Sequence, residues 1–257
     1  MNINNANKSL EKICSLYSKN IASIAHVGAH LGQEVEIYKK YTQDFIYLFE
    51  PQKEVFKKLK ENTINLNNVE LFNFALGSEN KMVELNKSST NDGASSSILQ
   101  PGLHKTLHEE IKFLEKEKVK LKRFDSLNIE GVNFLTIDVQ GFELEVLNGF
   151  GEMISKLDFI YTEINRDYVY KENVLIEDLD YKLEKEGFIR LKTFWDGYLP
   201  YGDAFYIKKE FLSKRGVIYS KIKTKFLDSK INIFIVRIKN YEKTIFNVKK
   251  LIKNLIK

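Results

Sequence analysis

Short apolar runs of strand length alternate, along this 257-residue chain, with stretches whose apolar positions recur every three or four residues. That alternation is the pattern of stacked βαβ units around a parallel sheet. Residues 21–27 and 44–50 read as the first two strands, followed by helical segments at 34–41 and from Pro51 to Ile64. In the second helix Val55, Phe56, Leu59 and Ile64 supply the apolar face, and the fixed φ of Pro51 suits a first turn. Residues 69–76 read as a third strand and 81–85 as an added antiparallel segment beyond a turn at 77–80. Residues 103–114 read as helical and 118–123 as extended. The strongest strand is 132–139, and a short helix at 142–148 is closed by a left-handed turn at Gly149. Strand 159–164, a helix at 173–186 capped by Gly187, and a closing pair at 188–195 and 204–208 complete the pattern. The polar stretch 86–102 is long for a plain connection and reads as a lid.

A length of 257 residues allows one large domain or a domain with an appendage. Charge favours the second. The chain carries 40 Lys and Arg against 35 Asp and Glu, a net of +5, yet residues 213–257 alone hold 13 basic and 2 acidic side chains. An acidic body at 1–212 therefore bears a basic extension at 213–257, interleaved with Ile, Phe, Val and Leu. Such an extension is expected as an amphipathic helix, or as a strand at 231–238 followed by a helix. It would lie in solvent or attach peripherally to a membrane surface. The single Cys14 excludes an intrachain disulfide and a multi-cysteine zinc site, and a reducing cytoplasmic setting is expected. The opening residues are polar and Asn-rich and predict no secretory signal, and no apolar run approaches a membrane span.

Candidate chemistry gathers at the predicted strand ends. Gly28 and Gly32 lie between the first strand and first helix, where bare backbone lets a cofactor approach free N–H groups. Glu50 ends the second strand, 22 residues beyond Gly28, at the spacing of a carboxylate that accepts hydrogen bonds from both hydroxyls of a ribose. The Gly-x-Gly-x-x-Gly phosphate fingerprint is missing, which disfavours a dinucleotide.

His26-Val27-Gly28-Ala29-His30-Leu31-Gly32, Phe49-Glu50-Pro51 and Ile137-Asp138-Val139-Gln140-Gly141-Phe142-Glu143 resemble, in order and separation, the successive signatures of FkbM-type methyltransferases. Ala75-Leu76-Gly77, Ser95-Ser96-Ser97 and Thr162-Glu163-Ile164-Asn165 extend the resemblance, which runs over about residues 21–209. It implies a Rossmann-like class I methyltransferase fold. In that α/β fold a mostly parallel seven-stranded sheet carries helices on both faces, and its last strand runs antiparallel. It also implies S-adenosylmethionine as cofactor. By the same resemblance Gly28, Ala29, His30 and Gly32 would cradle the methionine part, with His26 beside them. Glu50 with Pro51 would hold the ribose, Ala75 and Leu76 would flank the adenine, and Asp138 and Gln140 would face the reacting end. Many relatives have Asp and Asn where this chain has His26 and His30. His26 is otherwise expected as a buried histidine bonded to a backbone carbonyl.

Methyl transfer to a hydroxyl is an in-line displacement, so the acceptor oxygen must be aligned and relieved of its proton. Asp138 and His104 are the catalytic candidates. Ser95, Ser96, Ser97, Glu163, Asn165, Arg166, Asp167 and Trp195 are expected on the acceptor rim, where hydroxyls and amides suit a sugar and Trp195 would stack on a ring. No metal is expected, although Asp138, Glu163 and Asn165 offer an oxygen set for Mg²⁺ as a competing reading. The expected reaction is O-methylation of a sugar hydroxyl in a glycan, lipid-linked saccharide or glycosylated metabolite. An NAD-dependent oxidoreductase would share Glu50 but needs a fuller glycine fingerprint, and a nucleic-acid module using the basic tail is opposed by the acidic body.

Overall fold

The computed structural model describes residues 3–228 apart from Tyr198. A seven-stranded sheet forms the centre, built from β1 (Ser23–Val27), β2 (Ile46–Phe49), β3 (Val69–Phe72), β7 (Val132–Ile137), β8 (Phe159–Asn165), β9 (Phe188–Trp195) and β10 (Tyr201–Lys208). Its order is β3-β2-β1-β7-β8-β10-β9, with β10 antiparallel to both neighbours and the other pairs parallel. This is the expected fold class.

Both faces of the sheet are covered, which is why its strands read as near-continuous apolar runs. Ala25, Val27, Tyr47, Phe49, Leu135 and Ile137 point to one face and pack on α5 (Glu143–Gly149) and α6 (Ile176–Lys185) through Val146, Leu147, Leu179 and Leu183. Ile24, Ile46, Leu48 and Phe134, one residue out of phase, meet α1 (Ile3–Tyr17), α2 (Val35–Tyr41) and α3 (Lys53–Thr63) through Ile13, Val35, Tyr38 and Leu59.

Residues 69–76 are two strands rather than one. After β3 the chain turns at Asn73, whose amide donates to the carbonyls of Glu50 and Pro51, and β4 (Ala75–Leu76) joins a separate three-stranded sheet, β4-β6-β5. The partners are β5 (Lys81–Lys87) and β6 (Glu115–Lys122), which pair antiparallel. Pro51 precedes α3 instead of opening it, since Gln52 is the N-cap, and Ile64 lies beyond the helix, 73% exposed. The helix expected at 103–114 is a single turn, α4 (His104–Leu107). The N–H groups of Gly102, Leu103 and His104 bond instead to the carbonyls of Tyr168 and Val169, which ties this segment to a neighbouring loop.

Gly149 closes no left-handed turn. It is the last residue of α5, and a Cβ there would stand 2.1 Å from the carbonyl oxygen of Gly77, so the glycine permits contact with the strand-end turn. The left-handed residue is Gly151, at φ 52°.

Residues 214–228 form α7 (Lys214–Asp228), packed on β9. Arg190, 5% exposed, pairs with Asp180 at 2.7 Å and Asp228 at 2.6 Å, while Trp195 Nε1 donates to Asp228 at 3.2 Å. Ile218, Tyr219 and Ile222 of this helix stay exposed. The strand expected at 231–238 lies outside the described residues. Among the described residues no helix is long and apolar enough to cross a membrane.

Candidate active site

The carboxyl ends of β1, β2 and β7 open onto a recessed cavity. Gly28 forms its floor at φ 84°, and a Cβ there would lie 1.8 Å from the backbone oxygen of Asp138. The sheet can therefore close around the bend only with glycine at this position. Phe49, Ala75, Leu76, Leu85, Ile98, Val139 and Phe142 provide an apolar wall, and His26, His30, Glu34, Glu50, Gln52 and Asp138 provide the polar lining.

Glu50 is 3% exposed. One carboxylate oxygen accepts the N–H of His30 at 3.1 Å, and the other accepts the N–H of Gln52 at 2.8 Å. Each retains acceptor capacity, since an ionised carboxylate offers about four lone-pair directions. Burial pushes the Glu50 carboxyl up to about 7, opposed by the hydrogen bonds from Gln52 and His30. Gln52 continues outward: its amide nitrogen donates to Gly93 O at 3.3 Å and its oxygen accepts from Ser96 Oγ at 3.0 Å.

The 86–102 segment is pinned over this cavity by such bonds. Asn86, buried, donates to Leu99 O at 3.0 Å, and Ser97 Oγ donates to Gln140 O at 2.8 Å. His30 adds a further tie. A carbonyl can only accept, so His30 Nε2 carries the proton it gives to Asp92 O at 3.2 Å, and Nδ1 accepts from Gln33 at 2.9 Å. Both ring nitrogens are occupied.

His26 bonds to the Tyr38 hydroxyl at 3.2 Å, not to a backbone carbonyl, and that hydroxyl lies 3.1 Å from Thr136 Oγ1. Burial pushes the imidazole down to about 3 and keeps it neutral, so the 4.0 Å approach of Glu34 is no ion pair. Burial likewise pushes Glu34 up to about 7.

At the end of β7, Gln140 at φ 58° holds two acids together. Its Nε2 donates to Asp138 at 2.6 Å and to Glu163 at 3.1 Å, and its Oε1 lies 3.0 Å from the Tyr170 hydroxyl. Asp138 opens to the cavity while protein encloses its other sides. Burial raises both carboxyls, and the repulsion of Asp138 adds to the rise at Glu163.

A second cavity adjoins the first, the two sharing His30, Glu34, Ala94, Asp138 and Gln140. Ser95, His104, Glu163 and, from residues the sequence did not single out, His108, Glu110, Tyr201 and Asp203 line it. Asp203 pairs with Glu163 across β8 and β10 and accepts from Tyr161 at 3.0 Å, and burial pushes it up to about 7. Its signal in the sequence is a lone acid in the apolar run of β10.

Most of the expected residues thus converge on these two cavities. Others lie elsewhere. Ala29 and Gly32 shape the bend through a 2.8 Å Gly32 N–H to Ala29 O bond, and Ser97 is used by Gln140 and Leu99. Asn165 is buried, with its Oδ1 unpaired. Asp167 caps the Tyr168 N–H at 2.8 Å, and the Arg166 guanidinium covers the Trp195 ring at 4.4 Å. Asn165, Arg166, Asp167 and Trp195 line neither cavity. Among the described residues no cluster of three or more His, Cys, Asp or Glu side chains has a metal-holding arrangement.

A mostly parallel sheet of this order thus carries a glycine bend, a strand-end carboxylate and the 86–102 segment around one cavity. The Methyltransferase FkbM domain model matches residues 26–190, and the chain belongs to that family. It is 26% identical over 170 residues to the 2-O-methyltransferase NoeI of Sinorhizobium fredii (strain NBRC 101917 / NGR234), covering 62% of this chain and 70% of that protein. Among solved structures, the methyltransferase FkbM of Methylobacillus flagellatus KT superposes with a TM-score of 0.50 at 12% identity, over 73% of this chain and 43% of that one. That likeness is one of fold. The chain spans under half the length of that structure. The magnesium protoporphyrin IX methyltransferase of Synechocystis PCC 6803, solved with bound S-adenosylmethionine, gives 0.45 at 8% identity over 79% of each chain.

Proposed function

We propose that this methyltransferase uses S-adenosylmethionine to methylate a hydroxyl oxygen of a sugar. The observation that carries the reading is Glu50, a buried carboxylate fixed by two backbone N–H groups at the wall of a cavity floored by Gly28. The residues fit the cofactor. Glu50 matches a ribose diol, the apolar wall at Ala75, Leu76 and Phe142 suits a flat base, and the carboxylates suit a ligand carrying a sulfonium and an ammonium. The bound cofactor supplies an electrophilic methyl carbon.

This chain's residues would bind, align and deprotonate. Asp138, held by Gln140 where the two cavities meet, stands ready to take the proton of the acceptor hydroxyl, and Glu163, raised further by the repulsion of Asp138, lies beside it. A carboxyl raised by burial is a better base than an ordinary one when ionised. Acceptance of an oxygen agrees with the 2-O-methyltransferase activity named for NoeI, and the absence of Lys and Arg from both linings agrees with an uncharged polyol.

Incubation with S-adenosylmethionine labelled in its methyl group, and with fractionated glycans and glycosylated metabolites, tests the reading. Label should enter a saccharide fraction and resist base, as an ether does. Label in protein or nucleic acid alone overturns it. Asp138→Asn should lower turnover by about 10²- to 10⁴-fold, a larger effect than its weakening of S-adenosylhomocysteine binding.

A further inference from the structure

The second cavity has a charge character of its own. Its titratable lining consists of Glu34, Glu110, Asp138, Glu163 and Asp203 with His30, His104, His108 and Tyr201, and holds no Lys or Arg. His104 is 4% exposed, lines the cavity, and has an Nδ1 without a hydrogen-bond partner. His108 Nε2 lies 2.9 Å from the Tyr201 hydroxyl, which ties two of the lining residues to each other. Burial keeps the His104 ring neutral, at about 4, so it brings no balancing positive charge.

We infer that this cavity is the acceptor site and that it selects by charge: the sugar unit entering it is neutral or carries an amine, and rings bearing a carboxylate or phosphate are rejected. The inference rests on the proposed function and narrows its acceptor. An anion placed among five carboxyl groups must either be repelled or hold them protonated, and both cost binding energy. A neutral ring instead finds acceptors in Glu163 and Asp203 and a free ring nitrogen in His104. An ammonium draws the raised carboxyls toward their ionised form and pairs with them.

The test uses the full chain saturated with S-adenosylhomocysteine and three probes of one ring shape: methyl glucoside, methyl glucosaminide and methyl glucuronide. Saturation-transfer NMR titration should rank them with the amine tightest and the uronate at least about tenfold weaker than the neutral ring. Asp203→Asn, which still accepts from Tyr161, and the rim variant Glu110→Gln should each narrow that ratio without changing S-adenosylhomocysteine binding. Equal binding of uronate and glucoside overturns the charge selection, as does a ratio unmoved in both variants. Binding of none of the probes overturns the acceptor site. Failure of S-adenosylhomocysteine to bind at all is a separate result and strikes the proposed function instead.

Discussion

Glu50→Gln is the substitution that separates a ribose-holding carboxylate from a merely buried one. The two side chains have nearly the same shape, but one carboxylate oxygen becomes an amide NH₂. It then faces either the His30 N–H, at 3.1 Å, or the Gln52 N–H, at 2.8 Å. The buried N–H so orphaned costs about 1–3 kcal/mol. Relief of a buried charge offsets part of this, because burial already pushes the native carboxyl up to about 7. Stability should therefore change little. Ligand binding should change a great deal: two charge-assisted hydrogen bonds to a diol become one neutral acceptor and one donor, a loss of about 2–4 kcal/mol. At 1.4 kcal/mol per tenfold, S-adenosylhomocysteine should bind roughly 30- to 1,000-fold more weakly. Isothermal calorimetry on both proteins, with melting curves alongside, measures this. A dissociation constant within about threefold of the native value, in a variant that melts normally, would refute the ribose role.

Three further outcomes follow from the same geometry. Burial pushes Glu34, Glu50, Glu143 and Asp203 up to about 7, so the folded apoprotein holds protons that the unfolded chain has released above its ordinary carboxyl range. His26 and His104, pushed down to about 3 and about 4, act oppositely below the ordinary imidazole range, but four carboxyls outnumber two rings. The apoprotein's Tm should accordingly rise as pH is lowered from about 8 to about 5.5; a steady fall across that window in scanning calorimetry contradicts the buried-acid account. Gly28→Ala drives a methyl group into Asp138 O and strains a left-handed residue, so it should cost at least about 3 kcal/mol and lower Tm by about 6–12 °C or prevent folding; native melting would show that the bend relaxes freely. Asp228→Ala leaves Arg190 with Asp180 and should cost about 1–3 kcal/mol, loosening α7, and hydrogen exchange confined to residues 214–228 would report it.

The main sheet was legible because strands covered on both faces leave apolar runs, and the glycine bend, Glu50 and Asp138 sit at the ends of those runs. The small sheet was hidden because residues 69–76 are mostly apolar and carry no Gly or Pro to mark a break. Only the side chain of Asn73, bonding back to Glu50 and Pro51, breaks them into two strands. The segment 103–114 has helical spacing, yet the backbone donors of Leu103 and His104 go to the loop at 168–169 and that of Lys112 to Ser89, long-range choices that no local pattern records. Trp195 and Arg166 looked like sugar contacts by residue type. The structure stacks them on each other and ties the indole to Asp228, a residue of the basic extension. Asp203 escaped notice because its meaning depends on register: only pairing with Glu163 carries it to the cavity.

Running against its neighbours, β10 delivers the beginning of a strand, rather than its end, to the edge where the other strands finish. Tyr201, Gly202 and Asp203 arrive there from beyond residue 190, where the family match stops. The chamber's two halves are thus written in separate passages of the chain. A graft of the closing hairpin would rewrite one half while leaving the glycine bend and Glu50 untouched, which makes that hairpin a natural unit of exchange for reshaping the second cavity alone.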